Sequence, residues 1–78
     1  MTYWATLWYA GAVVFSMGYE GQPLHECLDL TQLIMRDINS FYQDKGTLVE
    51  LNESAFPVNK FTTTCQTEFL EPNELYAE

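Results

Sequence analysis

The chain has 78 residues, enough for one small domain, and a domain of this size buries only about 60% of the surface of its unfolded chain. Hydrophobic residues make up 47% of the sequence and aromatic residues 15%, which excludes an intrinsically disordered tail. Three Lys and Arg against eleven Asp and Glu give a formal net charge of −8. That balance argues against direct binding of nucleic-acid phosphates or of anionic membranes.

Residues 1–19 carry no charge and predict an antiparallel β-hairpin with a two-residue turn at Ala10-Gly11. The first strand has one side made of Tyr3, Ala5, Leu7 and Tyr9, and another made of Trp4, Thr6 and Trp8. The second strand has one side made of Val13, Phe15, Met17 and Tyr19, opposite Val14, Ser16 and Gly18. A single helix over residues 2–17 remains an alternative, since a short apolar run does not fix its own period. That alternative would suit a single-span membrane microprotein, although no basic flank is present to orient a span and a membrane partner is unlikely.

Residues 24–45 have a helical pattern, with Pro23 suited to the first helical position and Gly46 to the stop. The apolar stripe comprises Cys27, Leu30 or Thr31, Ile34, Ile38 and Phe41. The polar side chains that lie away from it are His25, Asp29, Gln32, Arg36, Asn39 and Gln43.

Residues 47–59 read as a connector, and Lys60 to Phe69 as a final strand. The core face of that strand is predicted to hold Phe61, Thr63, Cys65, Thr67 and Phe69. The order of elements therefore predicts an α+β fold: a three-stranded antiparallel sheet with one helix packed on one face (ββαβ). We expect a single domain over 1–70 and an acidic C-terminal tail over 71–78.

The two cysteines, Cys27 and Cys65, fit a disulfide, half of a metal site, or two buried thiols. Both are predicted to point into the layer between helix and sheet, so a bridge is geometrically plausible. Such a bridge would persist in an oxidising setting, and two core thiols are the expectation in a cytosol.

The segments YWATLWY, AVVFSMGYEG, ECLDLTQLI and KFTTTCQTEF cover most of the chain. Together they resemble a group of small phage and prophage proteins of proteobacteria. These have a Trp-containing opening strand, a second strand, a helix headed by Cys and a late strand with the partner Cys. Members often begin with a basic secretory segment, which is lacking here. The resemblance implies a viral, non-enzymatic setting, and with it a place in a virion or in the host cytoplasm.

The sequence contains few residues in patterns typical of catalysis. We therefore expect no enzymatic activity, no cofactor and no metal site. The one histidine, His25, lies two residues before Cys27, and on a helix the two side chains point about 200° apart. Phosphate-binding, hydrolase and calcium-loop motifs are missing from the sequence.

Two surfaces are candidates for binding. The first is aromatic, because one helix leaves one sheet face open, and that face carries either Trp4 and Trp8 or Tyr3, Leu7 and Tyr9. We expect it to bind a protein partner or a second copy. Alternatively, the connector and the acidic tail of the same chain fold over this open sheet face. The second surface is acidic and comprises Asp37, Asp44, Glu68, Glu71, Glu74 and Glu78. We expect a virion accessory or capsid-decorating subunit, with an acidic DNA-mimic-like inhibitor of a host nucleic-acid-binding enzyme as the alternative.

Overall fold

The uncharged N-terminal residues form an antiparallel β-hairpin in the computed structural model, which describes residues 1–38 and 58–72. Strand β1 spans Trp4–Tyr9 and β2 spans Ala12–Met17. The hairpin interpretation of residues 2–19 is therefore confirmed, and the alternative of one helix there is wrong. In the described part of the chain no helix has the length and apolar character needed to cross a membrane.

The turn between the two strands has positive φ at both central residues, 48° at Ala10 and 87° at Gly11. Two positive φ angles are the signature of a type I′ turn, whose twist matches that of the strands it joins. Gly11 adopts this conformation without strain, whereas Ala10 places a Cβ in the left-handed region.

A β-bulge interrupts the pairing of β1 with β2 and changes which side chains of β2 face inward. Leu7 pairs with Phe15 and Trp8 with Val13, so that Val14 is the extra residue. Val14 and Phe15 both belong to the buried core cluster, and Val13 shares the side of Trp8. The strict alternation expected for this strand is therefore wrong at Val13 and Val14. Tyr19, predicted to share the side of Phe15, lies beyond the end of β2 and is exposed.

The link from β2 to the helix closes over a buried glutamine. The Gln22 amide Nε2 donates to the Tyr3 carbonyl at 2.9 Å, and the Tyr3 N–H donates to the Gln22 carbonyl, also at 2.9 Å. A Cβ built on Gly18 would lie 2.8 Å from Gln22 Nε2 and 3.2 Å from the Trp4 ring. The lack of a side chain at Gly18 thus lets both groups pack against the backbone.

Helix α1 spans Leu24–Arg36 and packs on β1 and β3. Pro23 was expected at the first helical position, but it is the N-cap residue, one position earlier. Its carbonyl accepts the first helical hydrogen bond, from the Cys27 N–H. The expected continuation to Lys45 is wrong at Asp37, which caps the helix in a non-helical conformation. Asp favours such ends because its side chain competes for backbone hydrogen bonds. Ile38 is helical again, and the remaining expected helical residues, 39–45, lie outside the described residues.

A 3₁₀ turn at Val58–Lys60 leads into strand β3, which spans Phe61–Gln66 and pairs antiparallel with β1. The sheet order is β2-β1-β3, so the hairpin's first strand lies in the centre. With α1 on one face, this is the predicted α+β fold. Strand β3 is shorter than predicted because the chain bends after Gln66, so Thr67 is exposed and Phe69 leaves the core face.

The core lies between α1 and the sheet, and one disulfide crosses it. Its buried members are Ala5, Leu7, Val14, Phe15, Cys27, Ile34, Ile38 and Phe61. Cys27 at the start of α1 is bonded to Cys65 near the end of β3, with 6.1 Å between the Cα atoms. Of the three possibilities open for these cysteines, the disulfide is the one adopted.

Candidate functional site

The face of the sheet that points away from α1 carries both tryptophans, and we call it the outer face. It is formed by Trp4, Thr6 and Trp8 of β1, Val13 and Ser16 of β2, and Thr62, Thr64 and Gln66 of β3. The alternation of side chains along β1 places these residues opposite Ala5 and Leu7, which are in the core. The outer face therefore combines large rings with hydroxyl and amide groups.

A chain of hydrogen bonds runs across all three strands on the outer face. The Trp8 indole Nε1 donates to Thr64 Oγ1 at 2.8 Å, and that hydroxyl donates to Gln66 Oε1 at 2.7 Å. The Gln66 Nε2 donates to Thr6 Oγ1, which shares a hydrogen bond of 2.6 Å with Ser16 Oγ. The chain satisfies the buried hydroxyls of Thr6 and Ser16, and it fixes the Trp8 ring against β3.

The residues that follow β3 fold back over one end of the outer face. Phe69 meets Trp4 edge-on, with 5.1 Å between ring centroids and 82° between ring planes. Leu70 N–H donates to Ser16 Oγ at 3.3 Å, and the Glu68 carbonyl accepts from Gln66 Nε2 at 3.0 Å. Cover by the chain itself is thus observed at the Trp4 end. The residues expected to provide it, in 47–57 and 73–78, lie outside the described residues.

Of the two aromatic sets expected as alternatives for the open sheet face, the tryptophans are the set that lies there. Trp4 and Trp8 are on the outer face, whereas Tyr3 and Tyr9 pack against the core on the helix side. The Tyr9 ring lies 5.0 Å from the Phe61 ring, its neighbour on β3. The aromatic surface that remains available is therefore the outer face, with Phe69 added to it.

The predicted acidic surface is described in part. Asp37 caps the end of α1, while Glu68 and Glu71 are exposed on the segment after β3. Asp44, Glu74 and Glu78 lie outside the described residues. Glu68 and Glu71 flank Phe69 in sequence, so the Trp4 end of the outer face has an acidic border.

Groups that bind metals do not converge within residues 1–38 and 58–72, where no three His, Cys, Asp or Glu side chains come together. His25 is exposed on the first turn of α1, and both sulfur atoms are used by the disulfide.

Helix α1 also exposes four large apolar side chains that lie outside its predicted buried stripe: Leu24, Leu28, Leu33 and Met35. At about 100° per residue, Leu24, Leu28 and Met35 lie within about 40° of one another and form a second apolar surface, whereas Leu33 lies about 140° from Leu28. The spacings of four and seven residues between these three could have indicated that surface from the sequence.

Comparison with known proteins gives no relative: no family model, no curated protein sequence and no solved structure matches the chain.

Proposed function

We propose that this chain is a non-catalytic protein-interaction subunit that docks on a protein partner through its outer face. The observation that carries the proposal is the fixed Trp8 ring, which lies half-buried on the outer face. The neighbouring side chains of Thr6, Ser16, Thr64 and Gln66 are already hydrogen-bonded to one another. Tryptophan is among the residues most enriched at the energetic centres of protein interfaces.

Binding through this face would cost little conformational entropy. The Trp8 indole is held by Thr64, and Thr64 is in turn held by Gln66. Groups that are already ordered in the free protein lose less freedom when a partner covers them. A partner would gain the ring area of Trp8 without leaving the buried hydroxyls of Thr6 and Ser16 unpaired.

The border of the outer face indicates the chemistry of the partner. Glu68 and Glu71 are exposed beside the Trp4 end, on a chain whose net charge is −8. A partner surface with an apolar centre and a basic border would match this arrangement, and complementary charge would also speed its association.

More specifically, we propose that the chain is a virion accessory or capsid-decorating subunit. The resemblance of the chain to small phage and prophage proteins supports this form, and so does the disulfide, which suits a protein that leaves the reducing cytosol. The alternative is a DNA-mimic-like inhibitor of a host nucleic-acid-binding enzyme. That function requires acidic rather than aromatic side chains at the centre of the contact.

Site-specific photo-cross-linking in cells that make this chain tests the proposal. A photoreactive phenylalanine analogue replaces Thr62, which is exposed on the outer face. In the matched control it replaces Glu26, which is exposed on α1 on the opposite side of the sheet. We expect a protein adduct from position 62 and none from position 26.

The identity of the adduct separates the forms of the proposal. An adduct with a virion structural protein would support the virion accessory or capsid-decorating subunit. An adduct with a basic nucleic-acid-binding enzyme would support the DNA-mimic-like inhibitor. An adduct from position 26 alone, or from neither position, would contradict docking through the outer face.

A further inference from the structure

We propose that the segment after β3, residues 67–72, is a strap that shields Trp4, and that the partner of the outer face displaces it. Docking then engages both tryptophans rather than Trp8 alone. This inference rests on the proposed function and adds a regulatory step to it, because the closed strap covers one end of the surface that the partner needs.

The strap is held to the outer face by weak contacts. In the part of the chain that the structure describes, its outer half has one ring contact and one hydrogen bond to the sheet. Phe69 packs edge-on against Trp4, and the Leu70 N–H donates to Ser16 Oγ at 3.3 Å, a long distance for a hydrogen bond. Phe69 is 45% exposed. Elements with few buried contacts open at a lower free energy than the fold as a whole.

The strap has a hinge at its start. The chain bends at Thr67 and Glu68, directly after the end of β3, and the Gln66 Nε2 donates to the Glu68 carbonyl at 3.0 Å. This hydrogen bond joins two residues that are close in sequence, so it stays intact when the chain beyond Glu68 swings away from the sheet. Glu68 therefore keeps its place at the acidic border of the outer face.

Opening the strap leaves the buried hydroxyls of the outer face paired. Ser16 Oγ loses the Leu70 N–H but keeps its hydrogen bond of 2.6 Å to Thr6 Oγ1. Gln66 keeps its hydrogen bonds to Thr6 and Thr64, and water can take the place of Ser16 at the Leu70 N–H. The penalty for an unpaired buried polar group, which opposes many local openings, is thus avoided.

The group that opening uncovers is the Trp4 ring. Trp4 and Trp8 are four residues apart on the same side of β1, so their Cα atoms are about 13 Å apart along the strand. Thr6 lies between them, buried and hydrogen-bonded to Ser16 and Gln66. With the strap open, the outer face presents two large rings on either side of a centre whose polar groups are paired.

The size of the outer face indicates that a partner needs both of its ends. Three strands about 5 Å apart, each six residues long, make a face of roughly 15 Å by 20 Å, or about 300 Å² in projection. A specific interface of standard size takes about 800 Å² from each partner. A partner restricted to the Trp8 end would therefore have much less than the usual contact area.

The strap lowers the apparent affinity for the partner. When only a fraction of the molecules has the strap open, the apparent dissociation constant rises by the inverse of that fraction. One edge-on aromatic contact on a half-exposed ring favours the closed state by about five-fold. Loss of the Phe69 ring should remove this factor.

Hydrogen exchange of the free, oxidised chain tests whether the strap opens by itself. The reporter is the Leu70 amide, which leaves Ser16 Oγ when the strap lifts. The comparison is with the amides of β1, which lies in the centre of the sheet. Relative to the intrinsic rates, we expect Leu70 to exchange at least about 100-fold faster than β1. A smaller difference would mean that the strap opens only with the whole fold, which would overturn the proposal.

The affinity of the partner captured by cross-linking from position 62 tests the displacement. We expect Phe69→Ala to bind about five-fold more tightly than the wild type, because the strap no longer competes for Trp4. Trp4→Ala in the Phe69→Ala background should remove the gain. The matched control is Leu33→Ala, since Leu33 is 47% exposed against 45% for Phe69 but lies on α1. This control should bind as the wild type does.

Two results of the affinity measurement would overturn the proposal. Binding of Phe69→Ala that is equal to or weaker than that of the wild type is one, and weaker binding would mean that Phe69 belongs to the contact itself. A gain that persists without the Trp4 ring is the other. Lack of any adduct from position 62 contradicts the proposed function instead, whereas the exchange of Leu70 is measured without a partner. The strap and the proposed function can therefore fail separately.

Discussion

The ring of Phe69 meets the ring of Trp4 edge-on, 5.1 Å away, on the face of the sheet opposite the helix. This contact joins the segment after the last strand to the start of the first strand. It leaves Phe69 45% exposed, so the pair forms a partly covered aromatic end of the outer face rather than a second core.

We expect Phe69→Ala to lower the free energy of unfolding by about 1 kcal/mol, because one edge-on aromatic contact and part of a ring's burial are lost. In a Trp8→Phe background Trp4 is the remaining tryptophan, and its emission should shift to longer wavelength when Phe69 is removed. Unchanged emission would contradict the packing of Phe69 on Trp4.

We expect Gly18→Ala to destabilise the fold by about 1–3 kcal/mol, because the new methyl group would overlap the Gln22 amide and the Trp4 ring. Gly21→Ala is the control for backbone strain alone, since its φ is 83° and nothing lies near its missing Cβ. Urea denaturation of both variants is the measurement. A smaller loss for Gly18→Ala than for Gly21→Ala would mean that the close approach does not matter.

Ala10→Asn should stabilise the protein by about 1 kcal/mol, because Asn tolerates the left-handed conformation that Ala10 adopts with φ of 48°. For a domain of this size the melting temperature should rise by about 4–8 °C. A lower melting temperature would indicate that the hairpin does not use this turn.

Loss of the disulfide should cost about 3–4 kcal/mol, because the bond closes a loop with a sequence separation of 38 residues. Cys27→Ala with Cys65→Ala and the reduced wild type should show the same lowered midpoint in urea. If reductant leaves the midpoint of the wild type unchanged, the bond contributes nothing to stability.

The hairpin and the inner face of the helix could be predicted because their apolar side chains repeat with periods that match one secondary structure. Cys27, Thr31 and Ile34 are buried, as the helical stripe predicts. The two-residue turn at Ala10-Gly11 was also predicted, whereas the positive φ angles of both residues were not. Local patterning of this kind is enough to specify the element order and the fold class.

The predictions that failed concern features that depend on contacts between residues distant in sequence. The bulge at Val14 adds one residue to β2 and breaks the alternation, which the apolar run Val13-Val14-Phe15 conceals. Phe69 continues the period of β3, but the chain bends after Gln66 and the ring finds Trp4 instead. The hydrogen-bonded chain from Trp8 to Ser16 likewise arises only when three strands are side by side.

The account depends most on docking through the outer face. The most direct test uses the partner protein captured by cross-linking from position 62. Its affinity for the Trp8→Ala variant is measured and compared with its affinity for the Leu33→Ala variant. Circular dichroism first confirms that both variants fold. We predict that Trp8→Ala binds about 30-fold more weakly, the loss typical of an interface centre, and that Leu33→Ala binds as the wild type does. Wild-type affinity in Trp8→Ala would contradict the account.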